Sequence, residues 1–161
     1  MMKKSFFWST LLLVILLGGC QNHEGNMESE TIFDWQGHRG ARGLMPENTI
    51  PAFLKALEFP SIQTLELDLA VSKDNQLIVS HEPWLSPDIC LNPEGDSLSN
   101  LPEERMLIFQ LTTSEIQAYD CGSLTPKEFP QQESVVVSKP TLGEVVEAVR
   151  IFCEANNRPF P

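Results

Sequence analysis

The sequence predicts an α/β fold, and three observations carry that expectation. Residues 32–57 read as strand, loop and amphipathic helix, residues 63–71 alternate strictly between apolar and polar side chains, and residues 141–153 repeat apolar side chains at helical spacing. Strands followed by helices are the pattern of a parallel sheet covered by its crossovers. With 161 residues, of which 42% are apolar, the chain has the size and composition of one globular domain rather than of a disordered segment.

In chain order, residues 1–19 come first and read as an export signal. Lys3 and Lys4 give a positive start, Phe6 to Leu17 an apolar run, and Leu17-Gly18-Gly19 a small-residue end before Cys20. The run is shorter than the roughly 20 apolar residues a bilayer span requires. Its ending resembles the bacterial lipoprotein signal, which implies that Cys20 is acylated and becomes the mature N-terminus; the alternative is an ordinary secreted protein with a stray cysteine. No Asp follows Cys20, so a lipid-anchored place in the bacterial cell envelope, at the outer membrane, is expected. Residues 21–31 are polar and without period, a flexible tether in which His23 is simply solvated. Loss of Lys3 and Lys4 leaves 9 basic residues against 22 acidic ones, a net charge of about −13. A surface so acidic, with no basic cluster, excludes nucleic acid as a partner.

Residues 32–36 form a short strand running into Gly37 and the segment "GHRGARGLMPENTIPAF". Asn48 or Thr49 can cap the next helix, Pro51 fits its first turn, and Ile50, Phe53, Leu54 and Leu57 make one stripe. In residues 63–71, Leu65, Leu67, Leu69 and Val71 share one face of a strand, and Glu66, Asp68 and Ala70 the other. A turn at 72–76 leads to a further strand at 77–81, ending on His81. Residues 82–110 hold many Pro, Asp, Asn and Ser and no sustained period, so a long functional or mobile loop is expected, within an insertion at about 82–139. A short helix over 113–119 and a longer one capped by Thr141 follow; Leu142, Val145, Val146, Val149, Phe152 and Cys153 supply the apolar face of the longer one. Cys90 with Cys121 would close a loop in the turn-rich region, leaving Cys153 over, and no cysteine spacing resembles a zinc site.

Chemistry-bearing residues gather where α/β folds keep their sites, at the carboxyl ends of strands. His38 and Arg39 follow the first strand, Glu66 and Asp68 lie late in the second, and His81 ends the third. Glu66 and Asp68 point to one side, and two inward carboxylates need a counter-charge; a hard divalent ion, Ca²⁺ or Mg²⁺, suits them. The bland alternative is a half-exposed strand with solvated acids. The two histidines can exchange protons near neutral pH, and Arg39 offers a fork of donors for an anion.

The segments "GHRGARGLMPENTIPAF" and "LELDLAVSKDNQLIVSHEP" resemble the glycerophosphodiester phosphodiesterase family, with its His-Arg-Gly, Pro-Glu-Asn-Thr, Glu-x-Asp and strand-ending histidine; "KPTLGEVVEAV" continues the likeness more faintly. The resemblance implies a (β/α)₈ TIM-type barrel, of which 32–161 would be the N-terminal part, and hydrolysis of glycerophosphodiesters to an alcohol and glycerol 3-phosphate. It further implies that His38 and His81 are the acid/base pair, that Arg39 binds phosphate, that Glu66 and Asp68 ligate the metal, and that Glu47 and Asn48 support them. Trp84 is placed either at the substrate mouth or in packing. Two departures stand out. Glu82 follows His81 where the family commonly has Asp, and the family's third metal carboxylate belongs to a strand expected after "NNRPFP". A barrel of this kind needs about 250 residues. Two other functions share parts of this pattern, a non-catalytic lipoprotein that binds phosphodiesters or partner proteins and a phospholipase D-like barrel enzyme.

Overall fold

A computed structural model describes residues 33–100 and 106–161. The expected export signal, Cys20 and the tether lie outside the described residues. The strand β1 (Trp35–Gly37), the helix α1 (Ile50–Leu57) and the strand β2 (Ile62–Leu65) form a βαβ unit, with β1 and β2 parallel and Gly37 opposite Leu65. Of the two candidate caps it is Thr49 that starts α1, its hydroxyl accepting from the Ala52 amide at 3.4 Å. The buried face of α1 is Ala52, Phe53, Ala56 and Leu57 rather than the expected stripe through Leu54. The reason lies beneath the helix. A Cβ on Gly37 would meet the Ala56 methyl at 3.0 Å and one on Gly40 would meet the Ala52 backbone at 2.6 Å, so only alanines fit over the glycine-rich loop.

The single strand expected over 63–71 is two strands, β2 and β3 (Leu69–Val71), interrupted at Glu66-Leu67-Asp68. The break has a cause in hydrogen bonding. The Glu66 amide donates to Gly37 O at 3.0 Å, tying it to β1, and the Asp68 carbonyl accepts from the Ser80 amide at 3.0 Å, tying it to β4, so the chain changes strand partner between them. Alternation therefore does not carry across the break. Leu65 and Leu67 pack against the core beside Phe53 and Leu57, whereas Leu69 and Val71 are exposed. β3 pairs antiparallel with β4 (Leu77–Val79), Ala70 opposite Ile78, around a turn in which Asn75 has φ 59°.

β4 divides two cores. Val79 faces α1 and α3 (Leu142–Ala155), joining Phe53, Leu57, Val145, Val149 and Cys153. Ile78 faces the other way, into a cluster with Leu85, Cys90, Leu98, Met106, Ile108, Ile116 and Cys121. The segment expected to be a long functional or mobile loop thus has a core of its own. Cys90 and Cys121 are joined in a disulfide, short 3₁₀ turns form at Leu98–Asn100 and Ile108–Gln110, and Trp84 pairs with Leu107 across the segment. Trp84 is partly buried and packs against this core. Both remaining helices begin with reciprocal caps, Thr112 with Glu115 at α2 (Thr113–Gln117) and Thr141 with Glu144 at α3.

Candidate active site

The loop after β1 is shaped by two non-glycine residues in the left-handed region, Arg39 at φ 52° and Asn48 at φ 55°. Such backbone persists only where surrounding contacts over-determine it. Here they do: the Asn48 amide donates to Arg39 O at 3.0 Å, and the Arg39 amide donates to Glu66 Oε2 at 2.9 Å. The loop is tied to itself and to the end of β2.

Glu47 is the organiser of the arginines. Its Oε1 accepts from Arg39 Nη1 at 2.8 Å, while Oε2 lies 2.5 Å from Arg42 Nε in an ion pair that is not aligned as a hydrogen bond. Arg39 Nε also stands 3.5 Å from Asp68 Oδ2. Arg39 is therefore held between two carboxylates, 11% exposed, and not free in solution. Arg42 lies with its guanidinium 4.7 Å from the centre of the Phe129 ring, and Gln132 Nε2 donates to both Arg42 O and Met45 O. The far end of the insertion is clasped onto the loop.

Asp68 Oδ2 accepts from Asn48 Nδ2 at 3.1 Å. Glu66 and Asp68 thus each have one oxygen held by the loop and, among the described residues, one without a hydrogen bond. Beside them Asn48 Oδ1 is buried and has no partner. Open carboxylate oxygens and an orphaned amide oxygen are hard donors of the kind Ca²⁺ and Mg²⁺ take, so the residues present fit such an ion. They do not complete a cage, since among the described residues no three His, Cys, Asp or Glu side chains converge as a metal site.

The two histidines stand on either side of this centre. His38 Nε2 is 4.0 Å from Glu66 Oε2, and the ring is largely open to solvent. His81 Nδ1 is 2.8 Å from Glu82 Oε1; with the carboxylate accepting, Nδ1 carries the proton and Nε2 is left to take one. The amide of Ser80, just before His81, donates to the Asp68 carbonyl, so the end of β4 is registered against the start of β3. A larger cavity of about 970 Å³ lies away from these residues, between the end of α1 and residues 158–161. Its Arg158 is committed to the carbonyls of Leu57, Phe59 and Ile62.

Sequence reasoning brought together His38, Arg39, Glu47, Asn48, Glu66, Asp68 and His81, and missed Lys139. This lysine is 3% exposed. Burial pushes its ammonium down to about 8, against the opposing pull of Glu47, Glu82 and Asp68. The residues around it, "SVVVSKPT", carry no period that would mark one side chain as inward. The only signal was a charged residue just ahead of the Pro140-Thr141 helix start.

A loop that fixes Arg39 and Arg42, paired carboxylates after β2, and two histidines after β1 and β4 make up an α/β site suited to phosphoryl chemistry. Comparison with known proteins gives the family: the model of the glycerophosphoryl diester phosphodiesterase family matches residues 38–158, and the chain belongs to that family. A glycerophosphodiester phosphodiesterase of Bacillus subtilis is 31% identical over 127 residues, 77% of this chain and 39% of that protein. One from Haemophilus influenzae is 38% identical over 88 residues, 52% of this chain and 24% of that protein. Among solved structures, a Silicibacter pomeroyi protein named for the same glycerophosphoryl diester phosphodiesterase class aligns at 31% identity and a TM-score of 0.68, covering 75% of this chain and 41% of the other. A phosphodiesterase of Oleispira antarctica, solved with the product sn-glycerol-3-phosphate, aligns at 27% identity and a TM-score of 0.53, covering 74% and 41%. The chain spans less than half the length of each of these relatives.

Proposed function

We propose that the protein hydrolyses glycerophosphodiesters to an alcohol and glycerol 3-phosphate, and that residues 32–161 contribute the first strands and helices of a (β/α)₈ barrel. The observation that carries the reading is the mutual fixing of Arg39, Glu47, Asn48, Glu66 and Asp68 at one loop, with His38 and His81 beside it. The parallel β1–β2 pair with α1 between them, and the Oleispira product complex, support the barrel and the substrate class respectively.

In the reaction, a water oxygen forms the new bond to phosphorus and the bond to the alcohol oxygen breaks. One histidine takes the proton from water and the other gives one to the departing alcohol. His81, oriented by Glu82, presents Nε2 for this exchange, and His38 is open to the same space. Arg39, kept rigid by Glu47, offers its remaining donors to the phosphate oxygens. Glu66 and Asp68, with Asn48 behind them, would hold Ca²⁺ or Mg²⁺, which when bound neutralises phosphate oxygens and orients the attacking oxygen. Cys20 is proposed as the lipid anchor holding the protein at the outer membrane of the cell envelope; Cys20→Ser should move it to the soluble fraction, and fatty acid still incorporated in that variant would refute the anchor.

The decisive assay is turnover of glycerophosphocholine by the full-length protein before and after chelation. Activity should fall on metal removal and return with Ca²⁺ or Mg²⁺. His38→Ala and His81→Ala should each lower kcat by roughly 10²-fold or more, with substrate binding better preserved than rate. Near-parental kcat in both variants would overturn their assignment as proton carriers.

A further inference from the structure

Arg42 is held at three places. Its carbonyl accepts from Gln132 Nε2 at 2.8 Å, and Gln132 is only 7% exposed, so water has little access to the bond. Its guanidinium carbon sits over the Phe129 ring, 4.7 Å from the centre. Its Nε lies 2.5 Å from Glu47 Oε2, while the other oxygen of Glu47 accepts from Arg39 Nη1 at 2.8 Å. A guanidinium carries five N–H donors in a planar fork. Of these only the one on Nε faces an acceptor; those on Nη1 and Nη2 make no hydrogen bond to the described residues. Arg158 shows what a purely structural arginine does here, since both of its terminal nitrogens are closed by backbone carbonyls. The open donors of Arg42 belong instead to a side chain, 31% exposed, on the wall of a cavity of about 330 Å³ that it shares with His38, Gly40, Leu44, Phe59 and Phe129.

We infer that Arg42 is a second anion-binding residue of the site, taking an oxygen of the same phosphate group that Arg39 takes. The identity of the anion rests on the proposed phosphodiesterase function. Guanidinium donors match phosphate oxygens, and a carboxylate that touches both arginines keeps them within reach of one tetrahedral anion. The phosphate is the partner because its oxygens are the anionic atoms that every glycerophosphodiester carries, whatever its head group. Phe129 and Gln132 then have a definite part. The insertion sets the aim of an arginine that the loop after β1 would otherwise leave free to swing, and Glu47 couples that arginine to Arg39.

The test is a titration of the full-length protein, in buffer containing Mg²⁺, with inorganic phosphate and with glycerol 3-phosphate. Calorimetry gives the affinities, and ¹H–¹⁵N signals of the arginine side chains report the contact. The Nη signals of Arg42, assigned by their loss in Arg42→Gln, should shift and exchange more slowly with either anion. Arg42→Gln should weaken both anions by roughly 10- to 100-fold, the scale of a hydrogen bond to a charged group. Arg42→Lys, which keeps a charge beside Glu47 but loses the fork, should recover only part of this. In kinetics, KM for the glycerophosphodiesters of choline, ethanolamine and glycerol should rise by a similar factor in Arg42→Gln, with kcat falling less. Arg42 signals that stay still at saturating anion, unchanged affinities in a folded Arg42→Gln protein, or a KM rise confined to one head group would overturn the inference. Should Arg42→Gln not fold, the signals of the parent decide, assigned through Arg42→Lys. Phosphate seen at Arg42 in a protein that turns over no glycerophosphodiester would refute the functional reading and leave the role of Arg42 standing.

Discussion

Gly40 holds the site loop against α1 by having no side chain. Its φ is +81°, and a Cβ there would sit 2.6 Å from the Ala52 carbonyl carbon and 2.7 Å from its oxygen, neither of which can yield without moving the helix. Gly40→Ala should therefore destabilise the fold by about 2–4 kcal/mol and displace Arg39 next to it. Gly43 is the internal control: nothing lies within 4 Å of its would-be Cβ, and Gly43→Ala should stay within about 0.5 kcal/mol. Denaturant melts of the two variants make the comparison. A Gly40→Ala protein as stable as the parent would mean that α1 can ride up over the loop. The residues of this loop were legible in the sequence because they are local, with His38, Arg39, Glu47 and Asn48 falling within eleven positions of one another. Lys139 was not, because its burial comes from neighbours far along the chain, and no short spacing encodes that.

The insertion is the element in which sequence reading and structure part most. Its apolar residues, Leu85, Leu98, Met106, Ile108 and Ile116, are spaced irregularly among Pro, Ser and Asp, so neither a period of 3.6 nor one of 2 marks them as inward. What organises them is a covalent link and one carboxylate. The Cys90–Cys121 disulfide spans 31 residues, and Cys90→Ser with Cys121→Ser should cost about 3–4 kcal/mol by loop-closure entropy. Asp120 Oδ1 accepts from the amides of Gly122, Ser123 and Val137. Burial by itself would raise this carboxyl, but the hydrogen bonds outweigh it and the net shift is downward. A depressed folded value means that the unfolded chain binds the proton more readily, so this stabilisation is present above the ordinary aspartate pKa of about 3.9 and is lost as pH falls through the lower folded value. Melts of the parent and Asp120→Ala, from neutral pH down to about pH 3, should converge at the acid end. A gap that stayed constant with pH would show that Asp120 acts only as packing. The strand at 63–71 failed for a related reason: alternation was real, but the chain leaves β1 for β4 as its partner at Glu66-Leu67-Asp68, which no local pattern encodes.

Among the described residues, β4 is a seam between two cores, with His81 just past its end. Ile78 and Val79 are adjacent and both 0% exposed, yet one belongs to the insertion and the other to α1 and α3. Ile78→Ala and Val79→Ala should each cost about 2–4 kcal/mol, and they should differ in where the protein opens. Hydrogen exchange should rise over the insertion for Ile78→Ala and over α1 and α3 for Val79→Ala. The same pattern in both variants would mean that β4 transmits every loss to both cores. Reduction of the disulfide should act like Ile78→Ala, loosening the insertion while α1 stays protected.

The bond from Gln132 to the carbonyls of Arg42 and Met45 has a meaning for anyone who wishes to rebuild this protein. Surface segments of such length are commonly treated as exchangeable cassettes, trimmed for crystallisation or swapped between relatives to change preference. Here the cassette is bonded to the backbone of the loop that carries Arg39 and Arg42. A shortened or borrowed segment without an amide donor at that place would leave two carbonyls of the loop after β1 unanswered, and the graft would be judged inactive for a fault of joinery rather than of chemistry. A chimera should keep Gln132 together with Phe129, the ring that Arg42 rests on, and treat everything between Thr125 and Glu128 as the part open to redesign.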